Sequence, residues 1–97
     1  MTKKATSERH RQVKSLQARY EKTLQVREFL FSEREIVIGL LEKSMRGQDR
    51  ERIKNLRTRI QEKDRQLHLV EEELRDIRAQ LEEAERRLRD AQTGQAE

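Results

Sequence analysis

Thiol chemistry is excluded in this 97-residue chain, because the sequence contains no cysteine, and acid–base or metal chemistry would turn first on histidine and carboxylate groups. The one combination at a suitable spacing is His68 with Glu71 and Glu72, an imidazole and two carboxylates on adjacent turns of one helical face. Such a group does catalytic work only in a concave pocket that excludes water, and a lone helix offers none. The expectation is therefore a solvated charged face. His10, between Arg9 and Arg11, reads as a surface residue in the same way. No glycine-rich phosphate loop is present, and the two histidines do not stand at metal-ligand spacing. No catalytic residue, metal site or cofactor is expected, and the chain reads as a non-enzyme.

What remains is a sequence built for helices. Charged residues make up 43% of the chain and hydrophobic ones only 32%, with no proline, no tryptophan and three aromatics in all. So few apolar side chains cannot fill a compact core, yet the dominant residues are strong helix formers. The choice lies between disorder and long helices that bury only a seam. The lack of cysteine excludes a disulfide framework and is compatible with a reducing compartment. The basic start MTKK runs into ATSERHRQ, so no secretory signal is expected, and the longest charge-free apolar run is Ile36–Leu41, against the roughly 20 residues a bilayer needs. These features point to a soluble, cytoplasmic protein.

Periodicity decides against disorder. In the second half, apolar residues recur at alternating intervals of three and four: Ile53, Leu56, Ile60, Leu67, Val70, Leu74, Ile77, Leu81, Ala84, Leu88 and Ala91. Only Lys63 interrupts this heptad seam. The first half is less regular, with Val13, Leu16, Tyr20, Leu24, Phe31, Ile38, Leu41 and Met45 on one side at a 3.6-residue period. Phe29, Leu30, Ile36, Val37 and Leu40 lie outside that stripe, which makes residues 26–41 apolar around much of the helix. Such a helix contacts more than one neighbour, so these five residues are candidates for a second interface.

Gly47 sits near the centre, after a helix end that includes Lys43 and Arg46 and before Asp49, a good N-cap. The pattern predicts an all-α antiparallel hairpin that reverses near Gly47 and self-associates. Its expected parts are a disordered basic N-terminus (1–5), a first helix (6–46), a turn (47–49), a second helix (50–92) and a disordered tail (93–97). The alternative is one continuous helix in a dimeric coiled coil, in which Gly47 is a tolerated interruption. Charge favours antiparallel packing, because residues 2–22 are mainly basic and residues 71–97 mainly acidic. Reversal at Gly47 itself would set Leu41 against Ile53, Leu24 against Val70, Arg34 against Ile60 and Arg27 against Leu67.

The expected function is non-catalytic oligomerisation, as a scaffold or adaptor acting through helix–helix contacts. The expected partners are a second copy of the chain, as a dimer, and another helical protein. Arg27, Arg34 and Lys63 are candidates for setting register, since polar residues in an apolar seam specify alignment. One alternative is a nucleic-acid-associated helical protein using the basic N-terminal segment. Its binding would be weak and nonspecific, because the only asparagine, Asn55, lies inside the heptad rather than in a basic region. Another is a helical-hairpin stalk or regulatory subunit of a larger machine, with the basic turn as its contact.

Overall fold

A computed structural model of the chain describes residues 3–96, and side chains from residue 5 to residue 94. It contains two helices, α1 (Lys3–Arg46) and α2 (Arg50–Ala96), packed antiparallel as a helical hairpin, and no strand among the described residues. The hairpin replaces the single continuous helix. Both helices run past the expected limits of 6 and 92, as the absence of proline and the wealth of arginine, glutamate, glutamine and alanine allow. Met1, Thr2 and Glu97, within the ends expected to be disordered, lie outside the described residues.

The reversal is built differently from the sequence expectation. The left-handed residue that ends α1 is Gln48, with φ of 58°, and Gly47 does not have positive φ. Gln48 N–H donates to the Met45 carbonyl (3.2 Å) and Asp49 N–H to the Ser44 carbonyl (3.3 Å). This pair of bonds is a Schellman motif closed on Gln48, and it satisfies carbonyls that the helix end would otherwise leave open. Asp49 then caps α2, as its position suggests: its Oδ1 accepts from the Arg52 backbone N–H (3.2 Å), and its carbonyl accepts from Ile53 N–H (2.9 Å).

Moving the pivot from Gly47 to the Gln48–Asp49 junction moves the register. In the half that carries the turn, residues 24–72, Arg27 reaches Glu71, Arg34 reaches Asp64 and Lys63 reaches Glu33. These bonds set Leu41 opposite Leu56, Val37 opposite Ile60 and Leu30 opposite Leu67. The expected pairing of Leu41 with Ile53 is thus displaced by one step of the heptad. Leu30, Val37, Leu56 and Leu67 are buried, and Ser44 is buried next to the turn.

The half formed by the helix ends, up to Thr23 and from Glu73, follows the same heptad rule. Val13, Leu16 and Ala84 form a buried cluster with Leu81 and Leu88 against it, and Leu74, Ile77 and Ala91 are also buried. Ile77 is fully covered. Thr23 is buried too, its hydroxyl donating to the Arg19 carbonyl one turn back (2.8 Å), so the polar atom needs no partner from α2.

Two substitutions separate the roles of the turn residues. Gln48→Gly removes the cost of a side chain in the left-handed region and is expected to stabilise the hairpin by about 0.5–1 kcal/mol. For Gly47→Ala an added Cβ meets only the Ser44 and Lys43 carbonyls, at 3.7 and 3.8 Å, so unfolding in urea is expected to show no loss of stability. A loss above about 1 kcal/mol for Gly47→Ala would return the pivot to Gly47.

Candidate interaction surfaces

The burial pattern of α1 is stricter than its apolar residues suggest. Val13, Leu16, Tyr20, Thr23, Arg27, Leu30, Arg34, Val37, Leu41 and Ser44 alternate by three and four without a break, and all are buried or half-buried. Four of these ten positions are polar or charged, which hides a 3.5-residue period behind an apparent 3.6. Extending the spacing from Val13 regardless of residue type would have found Thr23 and Ser44. Leu30 and Val37, read as a second interface, occupy the intramolecular seam. Phe31 and Met45, read as seam, stand about half exposed, while Leu24 and Ile38 sit half-buried beside the seam. In α2 every seam residue named from the sequence is buried or half-buried: Ile53, Leu56, Ile60, Leu67, Val70 and Leu74 through Ile77, Leu81 and Leu88.

Arg34 and Lys63 fall in the same layer of the seam. Two cations opposite each other would repel, and each instead turns to a carboxylate beside the other. Arg34 Nε donates to Asp64 Oδ1 (2.6 Å) and Lys63 Nζ to Glu33 Oε1 (2.9 Å). The cation side chains are 30% and 21% exposed, so the ammonium and guanidinium stay at the water boundary while their stems cover the seam. Arg27 behaves likewise with Glu71 (3.3 Å). All three register candidates therefore lie in the seam, each tied to the opposite helix.

Outside the seam, α1 carries apolar residues that nothing covers. Phe29 and Ile36 are 63% and 65% exposed, and Val26 and the half-buried Leu40 continue the same flank at helical spacing. Leu69 of α2 is also exposed. Phe31 and Met45 occupy the other flank. Every exposed large apolar residue among those described lies between residues 24 and 72.

The turn is surrounded by cations. Lys43, Arg46, Arg50, Arg52, Lys54, Arg57 and Arg59 form no ion pair among the described residues, whereas Arg27, Arg34, Lys63 and Arg65 of the same half all do. Arg50 and Arg52 sit in the first turn of α2, where the helix dipole disfavours positive charge. In the other half, Arg19 of the basic segment pairs with Glu73 of the acidic one (3.8 Å), and Arg78 donates to the Tyr20 hydroxyl (3.2 Å).

The histidines are dispersed. His68 Nε2 lies 3.1 Å from Glu72, with both side chains more than half exposed, and Glu71 is engaged by Arg27, so the three groups do not converge. His10 meets Gln92 at 3.4 Å on the surface. Arg65 bonded to Glu62, and Arg86 bonded to Glu83, hold those exposed carboxyls below the ordinary range, as surface pairs on one helix do. No group of three metal-binding side chains occurs among the described residues, and no helix there is long and apolar enough to cross a membrane. No protein family, curated protein or solved structure matches the chain.

The polar layer yields a direct test. Replacing both Arg34 and Lys63 by leucine trades two ion pairs for apolar burial and is expected to raise stability by about 1–4 kcal/mol. Arg34→Ala alone leaves Lys63 facing a gap and is expected to lower it. Urea unfolding of both variants checks the pair, and a double-leucine hairpin weaker than the parent would assign the layer a net stabilising role.

Proposed function

We propose that this chain is a non-catalytic helical-hairpin scaffold or adaptor. It works by packing further helices on residues 24–45 of α1, and a second copy of itself is the first partner. One observation carries the reading: after α1 and α2 have satisfied each other's seam, Phe29, Ile36 and Val26 still face water on one flank and Phe31 on the other. Soluble monomers rarely leave apolar patches of this kind open, and patches rimmed by charge mark contact surfaces.

A second reading draws on a separate observation, the seven cations around the turn that form no ion pair among the described residues. A hairpin stalk that presents this tip to an anionic surface of a larger assembly would use them. Nucleic-acid binding through residues 3–22 has less support, since Arg19 in that segment already faces Glu73. What remains there is salt-sensitive phosphate attraction.

Self-association is tested by mass and by heat. Light scattering is expected to give a multiple of the 11.7 kDa chain mass. The thermal midpoint is expected to rise with concentration, because association stabilises by mass action. A monomer mass with a midpoint constant over about a hundredfold range of concentration would remove this function.

A further inference from the structure

We infer that the second copy docks antiparallel on the Phe29 flank, with Phe29 of each chain seated in a groove of the other between Ile36 and Leu40 of α1 and Arg59 of α2. This rests on the self-association proposed above and specifies its geometry. The groove runs beside the seam, with Glu33, Ile36, Val37 and Leu40 on one wall and Arg59, Glu62 and Lys63 on the other, and has a volume of about 310 Å³. A phenyl ring needs roughly 150 Å³, so one side chain of that size fits. No side chain of the same chain fills it, and Phe29 is the most exposed aromatic of the half that contains it.

The positions of ring and groove select a twofold pairing. Ile36 follows Phe29 by two helical turns, about 10 Å along the same flank. A twofold axis between them, perpendicular to α1, brings each ring to the partner's groove at once and closes the assembly at two chains. The same operation sets Val26 near the partner's Leu40, and Arg59 over the incoming ring, where a guanidinium is attracted to the aromatic face. A parallel pairing would instead place ring on ring and leave both grooves open.

Charge favours the same orientation. Within residues 24–72, the tip from Lys43 to Arg59 carries seven cations against Asp49 and Glu51, while the rest carries four cations against eight carboxylates. Antiparallel copies hold the two basic tips about 45 Å apart. Parallel copies stack tip on tip.

The test uses the full chain, which has no cysteine of its own. Light scattering and sedimentation over a range of concentrations are expected to show a dimer, with Phe29→Glu or Ile36→Glu raising its dissociation constant by at least about a hundredfold. Both sites are exposed, so far-ultraviolet circular dichroism of these variants is expected to stay helical. Phe31→Glu, about 200° round the helix from Phe29, is expected to leave the constant within about threefold. A spin label on Gln48→Cys is expected to report a distance between chains of about 45 Å, from some 15 residues on each side of the axis at 1.5 Å per residue. A dimer with labels closer than about 20 Å, or one broken by Phe31→Glu and not by Phe29→Glu, overturns this geometry and leaves self-association standing. A monomer at every concentration overturns both.

Discussion

Two cations that meet in the middle of an apolar seam set the terms for the turn-bearing half of this hairpin. Arg34 and Lys63 share a layer between Leu30 and Leu67 on one side and Val37 and Ile60 on the other. Neither can be buried unpaired without a cost of several kcal/mol. The carboxylates that relieve them, Asp64 and Glu33, are each the sequence neighbour of the opposite cation. This reciprocal arrangement works in one register. Sliding α2 by one heptad step would put Arg34 against Ile60 or Leu67 and remove both bonds together. Apolar contacts alone would tolerate such a slide, because leucine and isoleucine recur at every step; the polar layer does not.

The turn is the other half of this constraint. For Arg34 and Lys63 to face each other, the chain must reverse midway between them, at the junction of Gln48 and Asp49. The left-handed conformation at Gln48 does that, although glycine one residue earlier is better suited to it. A pivot on Gly47 would free Gln48 from strain and set Arg34 against Ile60. The local preference of the turn is thus overridden by the register of the seam, and the strain is confined to one residue. Asp49 then has two duties, closing the end of α1 through its N–H and opening α2 through its carboxylate.

The heptads of α2 were legible because its seam is apolar at every position but Lys63. The helical class, the reversal near the centre and the cap at Asp49 followed from composition, Gly47 and charge. The seam of α1 was obscured for a physical reason: Thr23, Arg27, Arg34 and Ser44 take positions that hydrophobicity alone assigns to their apolar neighbours Leu24, Phe31, Ile38 and Met45. Burial there depends on what lies opposite and on local satisfaction, as the hydroxyl of Thr23 bonded to Arg19 illustrates. The register was wrong for a related reason, since placing the left-handed residue on glycine is a local rule and the winning term is not local. His68, Glu71 and Glu72 look like a site only while Arg27 is absent from view.

The two helices are unequal in what they leave outside. In α2 the apolar residues coincide with the seam, and Leu69 is its one exposed large hydrophobe among the described residues. In α1 the seam is partly polar, while Val26, Phe29, Phe31, Ile36 and Met45 are spread over its flanks. A helix meant only to pair with α2 would have the reverse arrangement, leucine in place of Arg27 and Arg34, and charge in place of Phe29 and Ile36. The sequence instead gives α1 a seam sufficient to choose its partner and register, and places its strongest apolar groups where α2 cannot reach them. Such a division suits a helix with two kinds of neighbour, one inside the chain and one outside it.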